Sequence, residues 1–382
     1  MTSRERLRTA LDHCEPDRVP FDLGTTPVTG IHVRAYQALV EVLGLDVPEP
    51  TLVDPVQQLA APDERVLAAL GADLRSTLLR LPYRTLDNPW QDERYIYFED
   101  EWGLTRRMPR EEGLYFDLCG HPLRGVQSVS EVETHRWPDP VASLNRDLLQ
   151  QVVDELDQSG YGVVTRGYGA GFLELLLWLQ GYEDGYVNLL ANPAVTDAIL
   201  DKILEIKLSY AQAVLETVGD KIDVFYLGDD LATQRGPQVS EDLYLRYFHP
   251  RYCEYHGLVR RLAPGAKIFF HCCGNVYDLL PHLVDTPLDI LNPVQVSAGQ
   301  MGDTARLKRE FGARLSFWGA VDTQHVLPHG TVEDVKAEVR RRLDDLAPGG
   351  GYVLTAVHNV QADVPPGNVL AMVEALMEYG WY

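Results

Sequence analysis

Strand-length apolar runs, recurring with helix-length segments between them, constrain this chain more than any other feature. From Tyr161 onward GVVTRG, DVFYLGDD, KIFFHCC, DILNPV, LSFWGAVD and YVLTAVHN follow in order, and RVPFDL near Arg18 and ADLRSTLL near Ala72 bring the count to eight. The intervening segments carry helix signatures. SEDLYLRYFHPRYCEYHGLVRRLAPG opens on a Ser cap, and TVEDVKAEVRRRLDDLAPGG opens on Thr331, with Glu333 close behind, and stops at Pro-Gly-Gly. Eight strands, each leading into a helix, predict a closed α/β (β/α)8 TIM barrel. A doubly wound open sheet is the alternative, but no GxGxxG or Walker-type loop follows any strand, so the usual nucleotide-binding reason for it is missing.

Before Tyr161 the pattern is more varied. VRAYQALVEVLGL spaces its apolar residues as a helix does, and DERVLAALGADLRSTLLRLP reads as helix, turn and strand. RYIYFEDEWGLTRRMP and EGLYFDLCGHPL then read as short aromatic strands joined by turns. The expectation is a single domain over residues 1–382, interrupted by a β-rich insertion at about 83–126.

Composition narrows the partners. Hydrophobic residues make up 45% of the 382, enough for a sizeable core. Lys plus Arg number 34 against 56 Asp plus Glu, a net charge of -22, which argues against nucleic acid or an anionic membrane surface and for a small-molecule or protein partner. No apolar run has membrane-spanning length, and MTSRERLRTALDHCEPDR lacks the hydrophobic segment of a signal peptide, so the expected location is cytoplasmic. Five cysteines, an odd number without a secretion signal, speak for thiols available to metal or chemistry.

A barrel places its active site at the C-terminal ends of its strands. There the sequence puts Arg166 and Tyr168, Asp229 and Asp230, His271 and Cys273, Gln295, Asp322, and His358 with Asn359. His271 and Cys273 are two residues apart, so in extended backbone both project to one face while Cys272 points away. A lone histidine or cysteine is usually a packing residue, but two metal-competent groups converging at a strand end are not the usual case. His358, at the end of the last strand, is the third candidate ligand for a zinc ion, whose catalytic sites keep one position open. Asp229 and Asp230 have two readings, orienting a ligand or handling a proton, and capping a helix. HNVQADVPPGN adds Asn359 and Gln361 to a polar loop that Pro365 and Pro366 stiffen before a helix begins.

The run from Asp229 through FFHCCGN, DILNPVQ, FWGAVDTQHVLP and HNVQADVPPGN resembles the uroporphyrinogen decarboxylase superfamily, which includes zinc- and corrinoid-dependent methyltransferases. The resemblance covers most of the chain from Tyr161 and, more weakly, RERLRTALDHCEPDRVPF. It implies the single-domain barrel and two competing activities: decarboxylation of uroporphyrinogen acetates in porphyrin and heme biosynthesis, or methyl transfer between a corrinoid protein and a thiol, alcohol, ether or amine. Decarboxylases of the family carry an early Trp-x-Met-Arg-Gln-Ala-Gly-Arg segment, where this chain has RVPFDLGTTPVTGI. Arg166, Arg34 and Arg80 are the cations left for a substrate with eight carboxylates. The methyltransferase branch matches at His271 and Cys273, but has a later cysteine where this chain has His358.

The resemblance thus implies Zn2+ on His271, Cys273 and His358, proton transfer by Asp229, Asp230 or Asp322, and substrate positioning by Arg166, Tyr168, Gln295, Asn359 and Gln361. No Asp-x-His-x-x-Gly cobalamin signature is present, so the corrinoid is expected on a separate protein docking over the mouth. A third reading is a barrel that binds a small molecule without converting it. Apolar helix faces on the exterior leave a homodimer open.

Overall fold

The computed structural model describes residues 1–81, 86 and 88–382; the expected start of the insertion at 83 lies outside the described residues. Seven parallel strands form the main sheet: β1 (Leu74–Ser76), β2 (Gly162–Arg166), β3 (Val224–Gly228), β4 (Lys267–His271), β5 (Ile290–Asn292), β6 (Ser316–Val321) and β7 (Tyr352–Ala356). They are hydrogen-bonded in chain order from β1 to β7. RVPFDL supplies the eighth position as a short closing segment. Phe21 bridges Leu354 of β7 in parallel, with Asp22 N–H donating to Leu354 O at 3.1 Å and Leu354 N–H to Pro20 O at 2.9 Å.

On its other side the closing segment meets the start of β1. Asp73 N–H donates to Phe21 O at 2.9 Å, and the Asp73 carboxylate accepts from Phe21 N–H at 2.9 Å. The sheet therefore closes into a TIM barrel, as the eight apolar runs predict. RVPFDL forms no full strand because Pro20 has no N–H to give and a side chain, not main chain, receives that of Phe21.

Alternation along each strand builds the core. Leu74, Val164, Val224, Phe269, Ile290, Trp318 and Val353 fill the interior, and Leu7 and Leu11 of the N-terminal helix (Ser3–Leu11) pack against them. The opposite faces pack under the helices, where Val163, Phe225, Ile268, Phe270 and Phe317 are buried. Residues at the strands' C-terminal ends thus share one mouth.

The segment after Ser240 departs from its prediction as one continuous α-helix. A π-helical turn, Tyr244–Phe248, precedes the α-helix His249–Leu262. Pro250 is the physical reason: it cannot donate to the preceding turn, and its ring excludes a regular α-helical approach.

Between β1 and β2 lies an antiparallel four-stranded sheet, Trp90–Gln91, Tyr95–Glu99, Thr105–Pro109 and Asp117–Gly120. Its inner face packs Phe98 edge-on against Phe116 at 5.0 Å, and the buried Trp102 against Tyr168 at 5.7 Å. Its outer face stacks Trp90 on Tyr97. No helix among the described residues is long and apolar enough to cross a membrane.

Candidate metal centre

β4 ends at His271, and the extended backbone beyond it carries Cys273 to the same side, while Cys272 turns into the core under the helices. His271 Nε2 and Cys273 Sγ are 3.4 Å apart. His358, just past β7, brings its ring to 5.5 Å from that of His271. Ligand atoms of all three residues lie within 4.8 Å of one another.

The histidine is oriented from behind. Register pairs His271 with Asn292, the last residue of β5. Asn292 Nδ2 donates to Trp318 O at 2.9 Å, which leaves its Oδ1 to accept from His271 Nδ1–H at 2.6 Å. That chain of bonds selects the tautomer whose Nε2 lone pair faces Cys273, the arrangement that fixes metal-ligating imidazoles.

Burial keeps both imidazoles neutral: it holds His271 below its ordinary value and pushes His358, helped by the neighbouring His271, down to about 3. The ring nitrogens of His358 make no hydrogen bond among the described residues. Burial and then the Asp230 charge raise the Cys273 thiol well above its ordinary value. The fit to zinc is chemical for all three residues and metric for the His271–Cys273 pair at 3.4 Å. Two neutral imidazoles and a thiol that releases its proton to a strong Lewis acid suit that ion, and tetrahedral bonds of ~2.0 Å to nitrogen and ~2.3 Å to sulfur separate the donors by about 3.5 Å.

The neighbouring aspartates behave differently. Asp229 is fully buried and caps the helix Phe172–Gln180, accepting from Leu173 N–H at 2.8 Å and Glu174 N–H at 3.0 Å, with the Tyr252 hydroxyl as a further donor. Gly171 permits this approach, because a Cβ there would sit 2.0 Å from the Asp229 carboxyl carbon. Asp230 faces the centre: its Oδ1 accepts from Cys273 N–H at 2.8 Å and lies 3.6 Å from His271 Nε2.

Two groups that the sequence reading missed stand behind these aspartates. Glu174 has its carboxyl raised to about 8, by burial first and then by the Asp230 and Asp229 charges. Lys207, buried on the long helix Pro193–Val218, is lowered by burial to about 8 and donates to Tyr168 O at 2.9 Å. Glu174 carried one local signal, its place at the third helical position after Gly171; Lys207 carried none, and Asn292 was visible only through strand register.

The other expected site residues divide between binding surfaces and loop supports. Gln295 Oε1 accepts from Gly274 N–H at 2.7 Å beside the centre. Asp322 Oδ1 accepts from Gln324 and His325 N–H groups, holding the turn after β6. Asn359 is fully buried: its Oδ1 accepts from Gly30 N–H at 2.6 Å, and its Nδ2 donates to Pro27 O and Gln57 Oε1. Gln361 Nε2 donates to Asn359 O at 3.2 Å.

A cavity of about 330 Å3 has Cys273 and His358 in its wall, together with Gln234, Gln295, Thr323 and Gln324. Arg166 and Tyr168 line a separate cavity of about 290 Å3 with Thr77, Thr165 and Tyr210. Arg34 reaches Gly113 O, and Arg80 pairs with Glu155 on the surface. The three candidate ligands are thus brought together, and the three arginines are not brought to them.

Comparison with known proteins gives a family and a fold. The family model described as uroporphyrinogen decarboxylase (URO-D) matches residues 129–379. A uroporphyrinogen decarboxylase of Alkalilimnicola ehrlichii is 25% identical over 292 residues, 72% of each chain. The methylcobamide:CoM methyltransferase MtaA of Methanosarcina barkeri is 26% identical over 180 residues, 47% of this chain and 48% of its own. Among solved structures, a methyltransferase from Methanosarcina mazei superposes over 99% of both chains with a TM-score of 0.68 at 21% identity, a likeness of fold.

Proposed function

This chain belongs to the uroporphyrinogen decarboxylase family, and on that premise we propose that it is a zinc-dependent methyltransferase moving a methyl group between a small ether, thiol or alcohol and a corrinoid carried by a separate protein. The observation that carries the reading is the convergence of His271, Cys273 and His358 at one corner of the mouth. Zinc bound there supplies Lewis acidity, which lowers the pKa of a coordinated thiol or alcohol or polarises an ether oxygen.

The chain's own residues do the rest. Asn292 holds His271 in the ligating tautomer. Cys273 and His358 complete the donor set. Asp230 uses Oδ1 to fix the Cys273 backbone, and its Oδ2 receives or returns the substrate proton. Glu174 stands behind Asp230 as the reserve carboxyl, and its raised pKa keeps it protonated at neutral pH. Asp229 caps the helix that carries Glu174, and Asp322 holds the turn that carries Thr323 and Gln324. Support for the corrinoid partner comes from the relationship to the methylcobamide enzyme, over about half of each chain.

Decarboxylation of a porphyrinogen is the second reading, favoured by the longer match to the Alkalilimnicola enzyme. Against it stands the wall of the cavity, which holds no cationic side chain among the described residues to offset buried carboxylates. Elemental mass spectrometry on untagged protein is the deciding measurement. About one zinc per chain, lost in Cys273→Ala, supports the methyltransferase reading; absence of metal after zinc is supplied removes it and sends the search to porphyrinogen turnover or ligand binding alone.

A further inference from the structure

The wall of the cavity beside the metal centre is polar without being charged. Besides Cys273 and His358, its polar side chains are the amides of Gln234, Gln295 and Gln324 and the hydroxyls of Thr233 and Thr323. Gln295 is the most constrained of them. It is 7% exposed, and the bond from Gly274 N–H to its Oε1 turns the amide so that Nε2 is left as a donor with no protein partner among the described residues.

Charge near this cavity has one sign. The Asp230 carboxylate lies 3.6 Å from His271 Nε2, and the whole chain carries -22. Away from the metal position, a ligand anion bound here would lose hydration and meet no charge-assisted side-chain partner in the wall. Arg235 follows Gln234 in the chain, but its side chain is not part of the wall. The volume, about 330 Å3, suits a small molecule.

We propose that the substrate taken by this cavity is a small uncharged polar molecule, a neutral thiol, alcohol or methyl ether, and that Gln295 Nε2 is the donor that selects it. The proposal rests on the methyltransferase reading and adds the substrate's charge class to it. The neutral heteroatom or a neighbouring hydroxyl accepts from Gln295 Nε2, while an otherwise similar carboxylate or sulfonate, whose charged end extends away from the metal, is turned away by the absence of a cationic side chain in the wall and the presence of Asp230.

The test is isothermal titration calorimetry of the zinc-loaded full chain with two thiols of matched length, 2-mercaptoethanol and 2-mercaptoethanesulfonate. The neutral thiol is expected to bind about tenfold tighter or more. Gln295→Glu keeps an acceptor for Gly274 N–H and removes the donor, and should weaken the neutral thiol about tenfold with the metal retained. Gln324→Lys, at an exposed position, keeps the test decisive where Gln295→Glu fails to fold, and should raise the anion's affinity about tenfold.

Equal or tighter binding of the sulfonate by the unmodified chain overturns the proposal, as does failure of both thiols to bind. A sulfonate preference abolished by Arg235→Ala overturns it too, by assigning the discrimination to Arg235. Metal content measured on the same samples separates the two levels. A metal-free chain that prefers the neutral thiol removes the metal reading and leaves the charge class standing; a zinc-loaded chain that prefers the sulfonate does the reverse.

Discussion

Two stretches of the barrel mouth carry similar polar side chains and leave them in opposite conditions. On one, Asp22, Asp229 and Asn359 are fully buried with partners from the chain itself: Trp318 Nε1 and Thr25 Oγ1 for Asp22, helix N–H groups for Asp229, and the loop around Gly30 for Asn359. On the other, His271, Cys273, His358 and Gln295 each keep an atom that no neighbouring backbone group satisfies. Residue type does not separate the two classes, since Asp229 and Asp230 are adjacent aspartates and fall on opposite sides. What separates them is how far helix ends and loops complete the side chain's bonds: among the described residues Asp229 accepts from two helix N–H groups and the Tyr252 hydroxyl, Asp230 from the single N–H of Cys273. A polar strand end is a support where the fold completes its hydrogen bonds and a candidate site where the fold stops short.

The largest effect expected from this division is loss of metal. Cys273→Ala should take the zinc content from about one per chain to near none by elemental mass spectrometry, because two imidazoles alone leave the ion under-coordinated. Next comes a support residue: Asn359→Ala removes the partners of Gly30 N–H and Pro27 O and should destabilise the chain by about 2–3 kcal/mol in urea denaturation, with metal content unchanged. If that variant released its zinc, the two classes would merge.

Asn292 joins the two stretches, so it sharpens the boundary. Asn292→Leu should weaken zinc about 10–100-fold in chelator competition, since His271 loses the bond that fixes its tautomer. His256 provides a buried imidazole away from the mouth, with Nδ1–H on Thr286 Oγ1 at 3.0 Å and its pKa pushed down to about 3 by burial and then by Arg260. Its folded pKa lies below the unfolded value of about 6.5, so its contribution is complete above that pH and is lost as pH falls toward 3, at about 1.4 kcal/mol per pH unit. His256→Phe should flatten that part of an acid-denaturation profile. The smallest effect is expected at Asp322→Asn, which keeps an acceptor for Gln324 and His325 N–H; under about 1 kcal/mol of stability and no metal should be lost. A large fall in activity there would move Asp322 from the supports to the site.

Much of the fold was legible because apolar runs bounded by helix signals leave few ways to bury themselves. Seven of the eight runs became ladder strands, and the eighth shrank to residues 20–22, where Pro20 and the Asp73 carboxylate replace main-chain pairing. The π-helical turn before Pro250 was hidden behind an otherwise continuous helical pattern. At the site, the shared face of His271 and Cys273 followed from the two-residue period of extended chain. The different conditions of Asp229 and Asp230 did not follow, because the groups that decide them, Leu173 N–H and Cys273 N–H, lie 56 and 43 residues away in the chain.

Periodicity, charge and the polar residues at strand ends, all local properties, were enough to predict a TIM barrel with its chemistry at one mouth. Strand register and loop packing decided what no local pattern can state: that Asn292 stands behind His271, that Gly171 admits Asp229 to a helix end, and that the arginines lie away from the metal corner. The physical reason is the same for each. A side chain's role depends on whether its last lone pair or N–H meets a partner, and those partners come from distant segments that only the closed barrel brings within 3 Å.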